Sequence, residues 1–230
     1  MATHLVTGAG SGIGAAVVRR LMERGDELVL VARSASRGDE LIAQFPGSRA
    51  LVADLENPAG IGDALREQGL PARLDSLLHV AGVVELGAVS EMAADLWGQT
   101  LGVNLLAPAE LTRVALPALR TARGQVLFVN SGSGLRANPQ WAAYAASKHG
   151  LRALAEALRG EERANGVRVS SIYPGRTATA MQQKVHDQEG KEYDPSDWID
   201  PESVATTILV ALDLPRDAEL TDLVVRPTPR

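Results

Sequence analysis

Cysteine is absent from the 230-residue chain, which excludes disulfide bonds, thiolate catalysis and metal sites built on cysteine. Aromatic residues are scarce at 3%, but hydrophobic residues make up 45% of the chain and charged residues 22%. This balance is typical of a globular protein rather than a disordered one. A chain of this length can bury a substantial core, so we expect a single domain over residues 1–230 with no metal site.

An excess of positive charge is also missing, because the formal net charge is −5 at pH 7. This argues against a nucleic-acid partner, since phosphate backbones bind basic surfaces. The apolar runs are too short to span a bilayer, which argues against a membrane partner. The first eight residues lack the charged segment and apolar stretch of a secretory signal. We therefore expect a cytoplasmic protein.

Short apolar segments alternate with longer amphipathic ones. Strands are predicted at residues 3–7, 27–32, 49–53, 74–80, 124–130, 167–173 and 220–225. Helices are predicted at residues 13–24, 35–44, 58–68, 93–120 (broken at Pro108), 140–165 and 201–212. Most strands are apolar over most of their length, which is typical of strands covered on both faces. The order predicts an α/β fold, a single Rossmann-type, doubly wound parallel sheet of about seven strands flanked by helices. Residues 176–199 are expected to form an irregular lid.

A glycine-rich segment, Thr-Gly-Ala-Gly-Ser-Gly-Ile-Gly at residues 7–14, joins the first predicted strand to the first helix. Glycines let the backbone approach a pyrophosphate closely, and the helix N-terminus adds N–H donors and a positive dipole end. No Lys-Ser/Thr pair follows, which excludes a triphosphate-binding P-loop. The position favours dinucleotide binding. The predicted contacts are Thr7, Gly8, Ser11, Gly12, Ile13 and Gly14.

The second predicted strand ends without an acidic residue. Ala32 stands where an NAD-selective protein carries a carboxylate for the ribose hydroxyls. Arg33 and Ser34 follow, and a guanidinium matches the geometry of a 2′-phosphate. The sequence therefore predicts NADP(H) as the preferred cofactor, with NAD(H) possible.

Tyr144 and Lys148 lie one turn apart on a predicted helix. The chain has three lysines and three tyrosines, so chance would produce such a pair only about 0.04 times. Free tyrosine titrates near ~10, and a nearby ammonium with oxidised nicotinamide would lower that pKa. Tyr144 could then give or take a proton. Ser131, at the end of a strand, could donate to a substrate oxygen; Ser133 is the alternative.

These motifs resemble the short-chain dehydrogenase/reductase superfamily, from the glycine pattern at residues 7–14 to the Tyr-x-x-x-Lys at residues 144–148. The resemblance implies hydride transfer between NADP(H) and a carbonyl or secondary alcohol, with Tyr144 as general acid/base. Asn104 is implied to hold a water that links Lys148 to solvent. The resemblance also implies further cofactor contacts, including Thr179, or else Thr177, at the nicotinamide carboxamide. These contacts are Asp54, Leu55, Ala81, Gly82, Tyr144, Lys148, Pro174, Gly175, Thr177 and Thr179.

Two questions stay open at this point. The family usually has Asn-Asn where this chain has His79-Val80, which removes a hydrogen-bonding brace, and His79 is expected to be a core residue. A non-catalytic NADP(H)-sensing protein is the alternative function, although it would not need Tyr144 and Lys148. A serine hydrolase is excluded because no Gly-x-Ser-x-Gly occurs. The long predicted helices at residues 93–120 and 140–165 resemble those with which the family forms subunit contacts, so the resemblance implies a homodimer or homotetramer. Burial of their apolar faces in the core of one subunit is the alternative.

Overall fold

Seven parallel strands form the sheet in the computed structural model, which describes residues 1–228. Their order across the sheet is β3-β2-β1-β4-β5-β6-β7. The strands are β1 (Thr3–Thr7), β2 (Glu27–Ala32), β3 (Arg49–Val52), β4 (Ser76–His79), β5 (Gln125–Val129), β6 (Arg168–Pro174) and β7 (Asp222–Val225). The predicted fold is confirmed, and the strand ends differ from the predicted ones by at most two residues.

Helices cover both faces of the sheet. They are α1 (Gly12–Glu23), α2 (Ala35–Gln44), α3 (Ile61–Gln68), α4 (Ala94–Leu101), α5 (Ala107–Ala122), α6 (Ala142–Glu162), α7 (Ala180–Glu189) and α8 (Pro201–Asp213). One apolar core includes Leu21 of α1 and Ile208 of α8. The other includes Leu111 of α5 and Leu151 of α6. The continuous apolar character of the strands follows from this two-sided burial.

The strand order reverses at β1, which pairs with β2 on one side and with β4 on the other. Loops at the carboxyl ends of such neighbouring strands diverge and leave a crevice where ligands bind in open α/β sheets. Thr7 pairs with His79 in the β1–β4 register, so the glycine loop lies beside the segment that follows β4.

The long helix predicted over residues 93–120 is interrupted earlier than expected. Between α4 and α5 lies a wider π-helical turn, Gly102–Leu106, and Pro108 stands in the first turn of α5. Proline has no N–H, so the carbonyl four residues earlier, that of Asn104, loses its α-helical partner. The distortion therefore precedes the proline, and the prediction of a break at Pro108 itself was wrong by one turn.

The predicted lid contains a helix rather than irregular chain. Residues Ala180–Glu189 form α7, and Thr179 caps it by accepting a hydrogen bond from the backbone N–H of Gln182 at 3.2 Å. The helix is mostly polar, and Val185 is its one fully buried aliphatic residue. Apolar periodicity is therefore too weak to predict it. None of the helices formed by residues 1–228 is both long and apolar enough to cross a membrane.

Candidate active site

The glycine loop packs tightly against the chain after β4. Gly8 and Gly12 have positive φ angles of 71° and 51°, which glycine adopts without steric cost. A β-carbon on Gly8 would lie 2.7 Å from the backbone nitrogen of Ala81, and one on Gly14 would lie 2.0 Å from the carbonyl oxygen of Gly8. The loop is thus held against α1 and the β4 end with no room for side chains at these positions.

Thr7 braces this crevice rather than lining it. Its hydroxyl accepts hydrogen bonds from the backbone N–H groups of Val80 and Ala81, both at 3.1 Å. Thr7 therefore joins the ends of β1 and β4 directly, although the sequence suggested a cofactor contact.

His79 is a core residue, as expected. It stacks on Phe128 with ring centroids 4.9 Å apart, and its Nε2 lies 2.9 Å from the hydroxyl of Thr112. Burial lowers the pKa of His79 to about 3, with a smaller contribution from Lys148. The imidazole is therefore neutral at physiological pH.

Tyr144 and Lys148 face the crevice from α6. Tyr144 is 7% exposed and Lys148 is 3% exposed. The Nζ of Lys148 lies 5.7 Å from the centroid of the Tyr144 ring and donates to the carbonyl oxygen of Val129 at 3.1 Å. Ser131 lies next to Tyr144 in the cleft and lowers the pKa of the phenol. Ser133 also lines the cleft, and the choice of Ser131 as the hydroxyl that donates to the substrate stays a prediction.

Burial dominates the electrostatics of this pair. It raises the pKa of Tyr144, and the hydrogen bond from Ser131 offsets only part of that rise. Burial also lowers the pKa of Lys148 to about 8. In the chain alone the Tyr144 pKa is therefore raised, whereas the sequence argument expected a lowered one. The phenol stays protonated at neutral pH, which suits it to donate a proton.

Asn104 lies in the π-helical turn and is 1% exposed. Its side chain accepts from the N–H of Val83 at 2.8 Å and donates to the carbonyl of Val83 and to the hydroxyl of Ser147. Ser147 in turn donates to the carbonyl of Tyr144 at 2.7 Å. Asn104 therefore connects the segment after β4 to α6. Its water-holding role stays a prediction.

Asn130 is a structural residue of the site that the sequence analysis missed. It is buried at the end of β5, donates to the carbonyl of Lys148 at 3.1 Å and accepts from the N–H of Ser131 at 2.8 Å. A β-carbon on Gly134 would lie 2.3 Å from its Oδ1. Asn130 thus ties the Ser131 loop to α6. A polar residue that ends an otherwise apolar strand was the available signal.

The segment after β6 forms the opposite wall of the crevice. Thr177 donates to the carbonyl of Gly175 at 3.1 Å, while Thr179 caps α7. Both threonines line the crevice, and a β-carbon on Gly12 would lie 2.8 Å from the methyl group of Thr179. Trp141 and Met181 also line it. Neither threonine is distinguished as the carboxamide ligand.

The residues predicted at the adenosine end lie outside the crevice that contains Tyr144. Arg33 is exposed, and Ser34 caps α2 by accepting from the N–H of Arg37 at 3.3 Å. Asp54 accepts from the N–H of Glu56 in a local turn, and Leu55 packs against the core on the α5 side. Arg37 reaches the glycine loop, because its Nη2 would lie 2.0 Å from a β-carbon on Gly10.

A cleft of about 580 Å³ connects the glycine loop to Tyr144. This volume is within the range of small-molecule and cofactor sites. Most of the predicted site residues line the cleft, whereas Thr7, Arg33, Ser34, Asp54, Leu55 and Asn104 do not. Those that do are Gly8, Ser11, Gly12, Ile13, Gly14, Ala81, Gly82, Ser131, Tyr144, Lys148, Pro174, Gly175, Thr177 and Thr179.

Comparison with known proteins identifies the family that has this fold and this cleft. The family model described as short chain dehydrogenase matches residues 2–190. Dehydrogenase/reductase SDR family member 11 from Homo sapiens is 30% identical over 97% of this chain and 93% of its own length. Oxidoreductase UcpA from Escherichia coli (strain K12) is 31% identical over 94% of this chain and 82% of its own. A solved structure, "4-hydroxyisoleucine dehydrogenase complexed with NADH and succinate", is 26% identical, covers 97% of both chains and has a TM-score of 0.81.

A doubly wound sheet with a glycine-rich cleft at its carboxyl edge defines a Rossmann-type protein. The family match extends across most of that sheet and includes Ser131, Tyr144 and Lys148. The chain belongs to the short-chain dehydrogenase family and is an oxidoreductase of that family.

Proposed function

We propose that this oxidoreductase interconverts a carbonyl compound and a secondary alcohol, with NADP(H) as the preferred cofactor and Tyr144 as the general acid/base. The observation that carries the proposal is the buried Tyr144, which has Ser131 next to it in the cleft and Lys148 one helical turn away. The three side chains lie in the same cleft as the glycine loop. A non-catalytic dinucleotide sensor would have no use for this arrangement.

The shape of the cleft supports binding of a dinucleotide. Side chains at Gly8 and Gly14 would collide with backbone atoms, so only glycine lets the loop adopt this close packing. The N-terminus of α1 begins at Gly12 and supplies unpaired N–H groups and the positive dipole end for a pyrophosphate. Gly82 lets the segment after β4 pack closely on Asn104, because a β-carbon there would lie 3.3 Å from the Oδ1 of Asn104.

The proposed chemistry divides between the cofactor and the protein. A nicotinamide held in the cleft would supply the hydride chemistry, giving a hydride to the carbonyl carbon in its reduced form and accepting one in its oxidised form. Ser131 donates a hydrogen bond to the substrate oxygen. Tyr144 transfers its phenolic proton to that oxygen as the carbon–oxygen double bond becomes single, so the product is the neutral alcohol. The ammonium of Lys148 stabilises the phenolate that is left.

This reaction can be tested with a panel of ketones and aldehydes. We expect the protein to reduce at least one carbonyl compound with NADPH, and the loss of nicotinamide absorbance measures this reaction. The matching alcohol should be oxidised with NADP⁺. Trp141 lines the cleft, so energy transfer from tryptophan to bound NADPH measures cofactor binding separately. Tight NADPH binding without turnover of any carbonyl or alcohol would favour the sensor instead.

The preference for NADP(H) rests on two arginines next to the adenosine end. Ala32 offers no carboxylate for a ribose, Arg33 follows it and is exposed, and Arg37 packs over Gly10 while paired with Glu40. We expect Arg33→Ala and Arg37→Ala each to weaken NADPH binding by about tenfold or more, because a charge-assisted hydrogen bond contributes about 1.5 kcal/mol or more. NADH binding should change much less.

Titration of each variant with NADPH and with NADH gives the two dissociation constants. Arg163→Ala is the matched control, because Arg163 is exposed and lies before β6, at the opposite edge of the sheet from the cleft. Equal losses for NADPH and NADH in both arginine variants would contradict a role in 2′-phosphate recognition.

A further inference from the structure

The cleft around Tyr144 is lined by cationic side chains and, within residues 1–228, by no aspartate or glutamate. Its charged lining residues are Arg136, Lys148, Arg176 and Arg226. The chain as a whole has the opposite balance, with 28 acidic residues against 23 lysines and arginines. The positive lining is therefore a local property of the cleft, and it would attract an anionic ligand.

Two of these cations already have partners. Arg176 forms a two-pronged ion pair with Glu189, and its guanidinium lies 6.0 Å from the Trp141 ring and 5.3 Å from the Trp198 ring. Lys148 donates to the carbonyl of Val129 and lies beside Tyr144. Arg176 thus holds the lid helix α7 in place, and Lys148 belongs to the proposed proton transfer.

The other two cations, Arg226 and Arg136, have no carboxylate partner among the described residues. Arg226 follows β7 and reaches across to the Ser131 loop, where its Nη1 would lie 2.6 Å from a β-carbon on Gly132. Arg136 follows the short helical turn Gly132–Gly134 that begins directly after Ser131. Both unpaired guanidinium groups are therefore at the Ser131 end of the cleft.

This end is far from the adenosine side of the cofactor site. Arg33 follows β2, and Arg226 follows β7, which is five strands further along the sheet. Neighbouring strands are about 4.8 Å apart, so the two strand ends are separated by roughly 24 Å. Arg226 and Arg33 cannot both serve the same 2′-phosphate. Both guanidinium groups are exposed and are therefore available to an anionic group next to Ser131 other than the 2′-phosphate.

We propose that the substrate is a carboxylic acid that also carries the reacting ketone or alcohol, and that Arg226 and Arg136 bind its carboxylate. This inference rests on the proposed function, because the reacting oxygen is placed at Ser131 and Tyr144. A guanidinium offers two parallel N–H donors that match the two oxygens of a carboxylate. Binding the carboxylate at one end of the cleft would orient the carbonyl at the other.

Matched substrates test this proposal. Pyruvate, acetoacetate and levulinate place the carboxylate at increasing distance from the ketone, and the methyl ester of each removes the charge. For at least one spacing we expect the acid to exceed its ester in kcat/KM by about tenfold, the size of one charge-assisted hydrogen bond. Arg226→Gln or Arg136→Gln should lower that acid-to-ester ratio about tenfold, whereas Arg163→Gln should leave it unchanged. Equal ratios in wild type and both variants would overturn the proposal.

A binding measurement separates this proposal from the reaction itself. Calorimetric titration of the NADP⁺-loaded protein, which cannot reduce a ketone, with each acid and with its ester reports recognition of the carboxylate without turnover. Binding of an acid that weakens in Arg226→Gln or Arg136→Gln supports the carboxylate site, and failure to reduce any ketone would then count against the proposed reaction alone. Indistinguishable affinities for acids and esters at every spacing would overturn the carboxylate site.

Discussion

Replacement of Tyr144 by phenylalanine is expected to lower kcat by about three orders of magnitude, which is within the range that a positioned general acid contributes. The substitution removes only the phenolic hydroxyl. The ring keeps its edge-to-face contact with Trp141, whose centroid is 5.7 Å away, so the wall of the cleft should be preserved. NADPH binding, measured by energy transfer from tryptophan, should therefore remain close to that of the wild type.

Tyr173→Phe is the matched control for this variant. Tyr173 is also buried, and its hydroxyl donates to Asp222 at 2.8 Å, but it does not line the cleft. Loss of the Tyr173 hydroxyl should lower the free energy of unfolding by about 1 kcal/mol. Turnover should stay at the wild-type level. Turnover in Tyr144→Phe equal to that of the wild type would show that another group delivers the proton.

The fold was predictable because its determinants are local and repetitive. Each strand is a short apolar run and most helices have apolar residues at helical spacing, so burial on two faces is visible in the sequence. The Tyr144–Lys148 pair was predictable for a similar reason, since one helical turn brings the two side chains to the same face. Such patterns need no knowledge of how distant segments pack.

The missed features depend on contacts between distant segments. Thr7 was expected at the cofactor, but the parallel β1–β4 pairing places its hydroxyl under the N–H groups of Val80 and Ala81. Arg226 lies almost a hundred residues after Gly132, and only the sheet order β5-β6-β7 brings them together. No local pattern distinguishes these residues from ordinary polar and charged ones.

Electrostatics were the hardest property to predict. Spacing alone indicates that the ammonium of Lys148 lowers the pKa of Tyr144. Burial acts on both groups, however, raising the pKa of the phenol and lowering that of the amine to about 8. The degree of burial depends on the whole fold, so the sequence gives the partner of Tyr144 but not the direction of the shift.

Gly14→Ala is expected to have a large effect on both cofactor binding and stability. Helix propensity alone would favour alanine by about 0.5–1 kcal/mol. A β-carbon at Gly14 would, however, lie 2.0 Å from the carbonyl oxygen and 2.7 Å from the carbonyl carbon of Gly8. These are backbone atoms of the loop, and Gly8 is itself pressed against Ala81, so the loop or α1 must move. We expect overpacking to lower the free energy of unfolding by about 1–3 kcal/mol.

The displaced loop should also bind NADPH less tightly. Loss of two charge-assisted hydrogen bonds to the pyrophosphate corresponds to about 3 kcal/mol, or roughly 100-fold in Kd. Gly160→Ala is the matched control, since Gly160 lies in α6 with open space where its β-carbon would be. That variant should be stabilised by about 0.5–1 kcal/mol and bind NADPH like the wild type. A β-carbon at position 14 and the unshifted backbone of Gly8 cannot occupy the same space, so the loop must move in the folded variant. If folded Gly14→Ala nevertheless bound NADPH like the wild type, the pyrophosphate could not lie against this loop.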